Sequence, residues 1–271
     1  SSTYSGATTV AYGTLQLGAA GGSINTPLGT TGGATTVNSG ATLDLNGYTL
    51  GTTEGLTISG TGLSSAGALT NSSATAATYS GLLALAGDAT IKASSGNILL
   101  TNAGTIAGDT FALTLDGTAT GSSLASIIGT GAGTLTKNGS GTWTLSGAST
   151  YTGSTTITGG TLSISADNNL GAAPGSATAG SITLSGGGEL LVTSGTLATP
   201  ITLSSNRGIA LSTGGGVLSS AATKYVSYSG IIAGTTAITI GSSGNTGTVI
   251  LGGSSTYSGA TTVAYGTLQL G

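Results

Sequence analysis

The sequence predicts an all-β protein in which short strands stack as a parallel β-helix. Three observations predict this fold class: the two ends repeat each other, apolar and hydroxyl residues alternate in short runs, and glycine interrupts nearly every run. Alternation with a period of two indicates a strand with one buried face. With 52 glycines among 271 residues and many β-branched residues, no long segment would be stable as an α-helix.

The two ends of the sequence are identical. Residues 1–18 and residues 254–271 both read SSTYSGATTVAYGTLQLG, an offset of 253 residues without a substitution. Such identity indicates either a parent protein that repeats a 253-residue unit or a sequence whose bounds show how one unit meets the next. Both interpretations predict a head-to-tail array, and we expect residues 1–271 to form a single continuous β-helix segment.

A weaker repeat lies inside this unit, at an offset of 106 residues. It aligns GTWTLSGASTYTGSTTITGGTLSIS at 141–165 with GTVILGGSSTYSGATTVAYGTLQLG at 247–271, and the copies extend over residues near 127–165 and 231–271. A partial third copy is GGATTVNSGATLDLNG at 32–47. The tripeptide Tyr-Ser/Thr-Gly also occurs five times, at Tyr4, Tyr79, Tyr151, Tyr228 and Tyr257. Each copy therefore reads as a corner followed by two short strands.

Short strands between glycine corners fit two architectures, an antiparallel sandwich or barrel and a parallel β-helix. Two features favour the helix. The repeats tolerate insertions, as stacked coils do, and the matching ends let the stack continue, which a closed barrel does not allow. With about 20 to 25 residues in each coil, we expect roughly eleven to thirteen coils. A spacing of about 4.8 Å between strands then predicts a rod roughly 50 to 65 Å long.

The composition excludes several classes of function. Only 4% of the residues are charged, the net charge is -3, and the charges are scattered, so the sequence predicts no nucleic-acid partner. Cysteine, methionine and histidine are absent, which removes disulfides and thiolate or imidazole metal sites. We predict no cofactor and no metal. No run approaches the roughly 18 apolar residues of a membrane span, so we expect no membrane insertion of this segment.

One long stretch carries a family resemblance. Residues 133–164, GTLTKNGSGTWTLSGASTYTGSTTITGGTLSI, resemble the autotransporter-associated β-strand repeat, also called the passenger-associated transport repeat. Residues 201–233 are similar to segments that accompany this repeat in large bacterial surface proteins. The resemblance implies a right-handed parallel β-helix, export from the cell, and a role as a passenger, stalk or fibre at the bacterial surface.

Acidic pairs are candidates for catalysis, because some parallel β-helices are enzymes that use clustered carboxylates. The closest acidic pair is Asp109 and Asp116, seven residues apart, and Asp44 and Glu54 are ten apart. We expect all four to be solvated surface charges, since lone charges usually are. Without histidine, no serine or tyrosine nucleophile has a credible base. The sequence therefore predicts no catalytic residue and no enzyme.

Other polar and aromatic residues favour structural roles. Asp167 could bind calcium, but a structural turn fits better because no glycine-aspartate array accompanies it. Arg207 is expected to be structural, with an acid as its candidate partner. Trp143 is expected to pack in the core or between coils, and Gly214–Gly216 to form a corner, since no lysine follows as in a phosphate loop.

Two asparagines begin glycan-acceptor patterns. They are Asn71, followed by Ser72-Ser73, and Asn138, followed by Gly139-Ser140. Such tripeptides are common by chance, so the patterns alone do not predict a modified residue.

The sequence thus predicts a structural unit of an extracellular bacterial fibre or surface stalk, built from β-helix repeats that stack head to tail. The expected partner is another copy of the unit, in the same chain or in a neighbouring subunit. An alternative is an adhesin or glycan-binding passenger module, whose partner would be a host cell, a neighbouring cell or a glycan. Both hypotheses place the protein outside the cell or at the bacterial cell surface.

Overall fold

The structure is a computed structural model that describes residues 2–22 and 24–271. Across these residues it contains 31 short strands and two 3-10 turns, η1 (Leu63–Ser65) and η2 (Asp167–Leu170). Within the described ranges, neither helical turn has the length or the apolar character needed to cross a membrane. The prediction of an all-β chain is confirmed.

The strands, in chain order, are β1 Thr8–Val10, β2 Gly13–Gln16, β3 Asn25–Thr26, β4 Gly29–Thr30, β5 Thr35–Val37, β6 Ala41–Asp44, β7 Thr49–Leu50, β8 Leu56–Gly60, β9 Leu69–Thr70, β10 Ala77–Tyr79, β11 Leu83–Ala93, β12 Ile98–Leu100, β13 Thr105–Ile106, β14 Leu113–Gly117, β15 Ser122–Leu124, β16 Ile127–Ile128, β17 Leu135–Lys137, β18 Thr142–Leu145, β19 Thr155–Ile157, β20 Thr161–Ile164, β21 Thr178–Leu184, β22 Gly188–Val192, β23 Ile201–Leu203, β24 Arg207–Leu211, β25 Gly216–Ser220, β26 Tyr225–Tyr228, β27 Ile232–Gly234, β28 Ile238–Ile240, β29 Thr248–Leu251, β30 Thr261–Val263 and β31 Thr267–Leu270.

Stacked strands form three faces, which the chain visits in the order 1, 2, 3. Face 1 comprises β1, β5, β8, the first half of β11, β13, β16, the irregular segments 149–151 and 167–172, β23, β26, β29 and β31. Face 2 comprises β2, β6, β9, the second half of β11, β14, β17, β19, β21, β24 and β27. Face 3 comprises β7, β10, β12, β15, β18, β20, β22, β25, β28 and β30.

Each turn of this solenoid places a strand beside its counterpart in the previous turn. The length of a coil varies along the chain: it is short where Thr142 pairs with Thr161 and much longer where Gly13 pairs with Ala41. Among the described residues, every strand pair is parallel except the β3–β4 hairpin. The result is a parallel β-solenoid of about 11 turns, which confirms the predicted fold and agrees with the lower end of the predicted coil count.

In a typical three-residue strand, the middle residue points outward and its two neighbours point inward. The inward side chains of stacked strands form columns, and most of these side chains are aliphatic. A continuous outward column of threonines crosses face 2. It consists of Thr90, Thr114, Thr136, Thr156 and Thr183. Apolar stems on the inside and hydroxyls on the outside let a chain with few charges fold and stay hydrated.

Candidate functional site

Asp44 and Glu54 are not solvated surface charges, so the expectation for this pair was wrong. Both side chains are almost fully buried. Neighbouring coils cover each of them, and threonine, serine and backbone groups replace the lost water. Burial of a charge requires such partners. Both carboxylates therefore serve the packing of the N-terminal coils.

Asp44 accepts four hydrogen bonds. Its Oδ1 accepts from the backbone N–H groups of Asn46 at 2.9 Å and Ser72 at 3.0 Å. Its Oδ2 accepts from Ser72 Oγ at 2.6 Å and from Gln16 Nε2 at 2.8 Å. Burial by itself would raise the pKa of Asp44, but these hydrogen bonds outweigh it and hold the pKa below its ordinary value. An ionised Asp44 thus connects three successive coils.

Glu54 has fewer donors and behaves in the opposite way. Thr35 Oγ1 donates to Oε1 at 2.6 Å, and Thr26 Oγ1 donates to Oε2 at 3.1 Å. Burial raises the pKa of Glu54, and the two threonine hydrogen bonds offset this only in part. Glu54 therefore holds the β3–β4 hairpin against β5.

Asp109 and Asp116, the other acidic pair, have different surroundings. Asp109 is exposed at a corner, and Asp116 is half-buried and lies 3.6 Å from Lys92 Nζ. Within residues 2–22 and 24–271, no three acidic residues group together as metal ligands would. Asp109 has the surface role expected from the sequence. Asp116, whose side chain is only 17% exposed, is a partly buried charge beside Lys92, so the expectation of a solvated charge was wrong for it.

Arg207 and Asp167 form the ion pair that fixes a long irregular corner. Arg207 Nε lies 2.9 Å from Asp167 Oδ1 and Nη2 lies 3.2 Å from Oδ2, a two-pronged contact. The guanidinium also donates to the carbonyl oxygens of Leu170 at 3.0 Å and Gly171 at 2.7 Å. Arg207 is almost fully buried. The expected structural roles of both residues agree with this geometry.

Lys137 was not singled out by the sequence, yet it lies in the core. It occupies an inward column of face 2, where Leu115 precedes it and Ile157 follows it. Its Nζ donates to the carbonyl oxygens of Asn138 at 2.7 Å, Gly139 at 2.9 Å and Gly159 at 3.0 Å. Burial lowers the pKa of Lys137 to about 8, although Asp116 opposes the shift. The ammonium group therefore caps a corner from inside.

Trp143 and the glycine run have the packing and corner roles predicted for them. The Trp143 side chain is buried on face 3, and its indole Nε1–H donates to the carbonyl oxygen of Asp116 at 3.0 Å. Gly214 and Gly215 form a corner before β25, with φ angles of 84° and 68° that only glycine adopts without strain.

The two glycan-acceptor patterns lie in different surroundings. Asn71 is fully buried, and its amide donates to the carbonyl oxygens of Thr75 and Asn97. Asn138 is exposed. In the folded chain only Asn138 of these two is accessible.

The Tyr-Ser/Thr-Gly tripeptide builds a corner between two faces of a coil. Where threonine stands four residues after the tyrosine, the two hydroxyls bond to each other: Tyr4 with Thr8 at 2.6 Å, Tyr151 with Thr155 at 2.8 Å, and Tyr257 with Thr261 at 2.6 Å. Where leucine or isoleucine stands there, carbonyl oxygens accept instead: that of Glu54 for Tyr79, and those of Arg207 and Ile231 for Tyr228. A buried phenol needs such a partner.

Two surface depressions lie on the sides of the rod. The first, which we call the Phe111 groove, is lined by Ser39, Ser59, Thr61, Asp88 and Phe111. The second is an apolar pocket of about 170 Å³, lined mainly by Ala179, Ile209, Ala210, Ile231 and Ala233. That pocket is smaller than the usual range of about 300–1,000 Å³ for small-molecule sites.

The two identical segments of the sequence have different surroundings. The identical 18-residue segments fold alike: the first forms β1 and β2, and the second forms β30 and β31. Nevertheless, the following coil covers the first segment, and the second remains uncovered. Val10 is 7% exposed whereas its counterpart Val263 is 50% exposed, and Leu17 is 2% exposed whereas Leu270 is 76% exposed. The second end therefore displays side chains that the same sequence buries at the first end.

Two matching glycines of these segments differ in the opposite sense: the one in the second segment is crowded, and the one in the first is not. A Cβ added at Gly259 would overlap the Thr236 backbone of the preceding coil, so only glycine fits there. A Cβ at the counterpart, Gly6, would meet nothing within 4 Å. Each copy thus has a neighbour on one side only, the first on its C-terminal side and the second on its N-terminal side. Together the two copies show one complete environment, that of a segment between two coils.

Comparison with known proteins identifies the repeat. The family described as the passenger-associated-transport-repeat matches three segments, 1–17, 135–164 and 245–270. No similar protein was found among curated sequences or among solved structures. The β-solenoid and this repeat fit the passenger domain of an autotransporter, a kind of protein that is secreted or held at the cell surface. The resemblance expected from the sequence is confirmed: the chain is a β-solenoid in which three segments match the passenger-associated-transport-repeat.

Proposed function

We propose that the chain is a structural unit of an extracellular bacterial fibre or surface stalk, in which units stack head to tail as one solenoid. The observation that supports it most is the pair of identical ends with complementary environments. Residues 254–271 expose the side chains that residues 1–18 bury, so a following unit would cover them as the next coil does at the first end. The proposed role needs no catalytic residue, cofactor or metal.

Leu270 offers a direct test. It is 76% exposed here, but in a tandem chain, with residues 19–271 following Gly271, it would take the buried position of Leu17. In the single chain, Leu270→Asp should leave the melting temperature unchanged. At the junction of the tandem chain, the same substitution should lower the free energy of unfolding by about 4 kcal/mol, because it buries an unpaired charge. Circular dichroism melting of the single and tandem chains, each with and without the substitution, measures this. An equal effect in both chains would refute stacking at this end.

A second candidate function is glycan binding, and the Phe111 groove favours it. Sugars offer an apolar face that packs on an aromatic ring and hydroxyls that bond to groups such as those of Ser39, Ser59, Thr61 and Asp88. A glycan array should give a ligand whose binding Phe111→Ala weakens at least tenfold and Ile231→Ala, in the other depression, leaves intact. An array without a ligand would remove this candidate.

A further inference from the structure

The copies of the repeat do not occupy the same faces of the solenoid. In the first copy β1 lies on face 1 and β2 on face 2. In the internal copy β19 lies on face 2 and β20 on face 3. In the last copy β30 lies on face 3, and β31 stacks on β29 in face 1. The same sequence motif therefore fits each of the three corners of a coil.

The number of turns between the two identical segments can be counted along face 1. From β1 to β29 the chain returns to face 1 ten times, and from β29 it passes face 2 to reach face 3 at β30. The offset of 253 residues between the identical segments thus spans about ten and two-thirds turns of a repeat solenoid. A whole number of turns would have returned the second copy to the face of the first.

We infer that successive units of the proposed array are rotated by one face, a third of a turn, about the solenoid axis. This inference rests on the proposed function. At the first end, Thr8–Val10 pairs with Thr35–Val37. The identical strand Thr261–Val263 lies on face 3, so Thr35–Val37 of the next unit adds to face 3, although it lies on face 1 in its own unit.

Rotation changes what the array presents to its surroundings. Any lateral feature, such as the β3–β4 hairpin or the Phe111 groove, points in the same direction only in every third unit. Side features are therefore spread evenly around the axis. The join also gains a polar contact: Gln16 Nε2 donates to Asp44 at 2.8 Å, and Gln269 would reach Asp44 of the next unit in the same way.

Introduced cysteines can report the rotation, because the natural chain has none. In the tandem chain described above, the first pair is Thr262→Cys of the first unit with Thr36→Cys of the second unit. With rotation, these two residues lie on adjacent strands with a Cα–Cα distance of about 4.8 Å, within the usual range for a disulfide. Without rotation, Thr36 of the second unit would instead lie beside Gln269, on face 1. The second pair is therefore Gln269→Cys with Thr36→Cys of the second unit. Thr9→Cys with Thr36→Cys in the first unit is the positive control, since these residues are paired neighbours.

Oxidation followed by proteolysis and mass spectrometry measures the yield of each disulfide. Rotation predicts that the Thr262 pair forms at a yield close to that of the control and that the Gln269 pair stays at least tenfold lower. A Gln269 disulfide in place of the Thr262 disulfide would overturn the rotation and leave the stacked array intact. If the control forms and neither junction pair does, the units do not stack, and the proposed function fails with the rotation.

Discussion

At the residue scale, the unusual feature is a set of charges held inside a chain with very few of them. Asp44, Glu54, Lys137 and Arg207 are all buried, and each bonds to hydroxyls, backbone groups or an opposite charge. A narrow coil interior is close to its own backbone, so an inward charge finds carbonyl or N–H partners within reach. These residues fix corners whose lengths vary from coil to coil.

Asp44→Asn should show how much one such charge stabilises the fold. Because the pKa of Asp44 is lower folded than unfolded, its ionised form stabilises the protein above the ordinary aspartate pKa of about 4. That contribution is lost as the pH falls through the folded-state pKa. We expect Asp44→Asn to be less stable than the natural chain by about 1–3 kcal/mol at pH 7 and by progressively less below pH 4. Urea unfolding at several pH values measures the difference.

Asp109→Asn is the matched control, because Asp109 is exposed. Its effect on stability should stay within about 0.5 kcal/mol at every pH. A constant difference between Asp44→Asn and the natural chain from pH 7 to pH 3 would contradict the assigned role of the ionised carboxylate.

At the scale of elements, the sequence predicted the strands well and their surroundings poorly. Alternation in Thr142–Leu145 correctly placed Trp143 inside, because a strand's faces follow from its own residues. Burial of Lys137 or Glu54 depends on the coil that lies next to it, and the varying coil length hides that neighbour from a sequence pattern. The threonine column of face 2 could not be predicted for the same reason, because it depends on which strands become neighbours.

The glycine of the Tyr-Ser/Thr-Gly corner packs against the preceding coil, so a substitution there tests the packing of one coil on another. A Cβ at Gly81 would overlap the carbonyl oxygen of Glu54 and lie 2.7 Å from Tyr79 Cε1. We expect Gly81→Ala to lower the free energy of unfolding by about 3 kcal/mol or more, because the backbone of two coils must separate. Urea unfolding followed by circular dichroism measures this.

Gly51→Ala is the control for this substitution, since a Cβ there meets nothing within 4 Å. It should be neutral or stabilise the fold by up to about 1 kcal/mol, because alanine restricts the unfolded chain. Equal stabilities of the two variants would show that the corner glycine does not have to be small.

At the scale of the whole molecule, the solenoid behaves as a one-dimensional stack, in which each coil depends on its neighbours. The repeats in the sequence predicted the stack and its identical ends. The faces on which the ends lie could not be predicted, because they depend on the summed lengths of all the coils between them. Val263 and Leu270 are exposed in the last coil, and the proposed array would bury them under a further coil.

The length of a tandem chain tests this account most directly. About ten and two-thirds turns at about 4.8 Å per turn give each unit a length of about 51 Å along the axis. Two units joined through one shared 18-residue segment should form a single straight rod about twice as long. Electron microscopy or small-angle X-ray scattering of that chain measures its length and straightness. Two rods, each of single-unit length and joined at variable angles, would contradict the continuous solenoid.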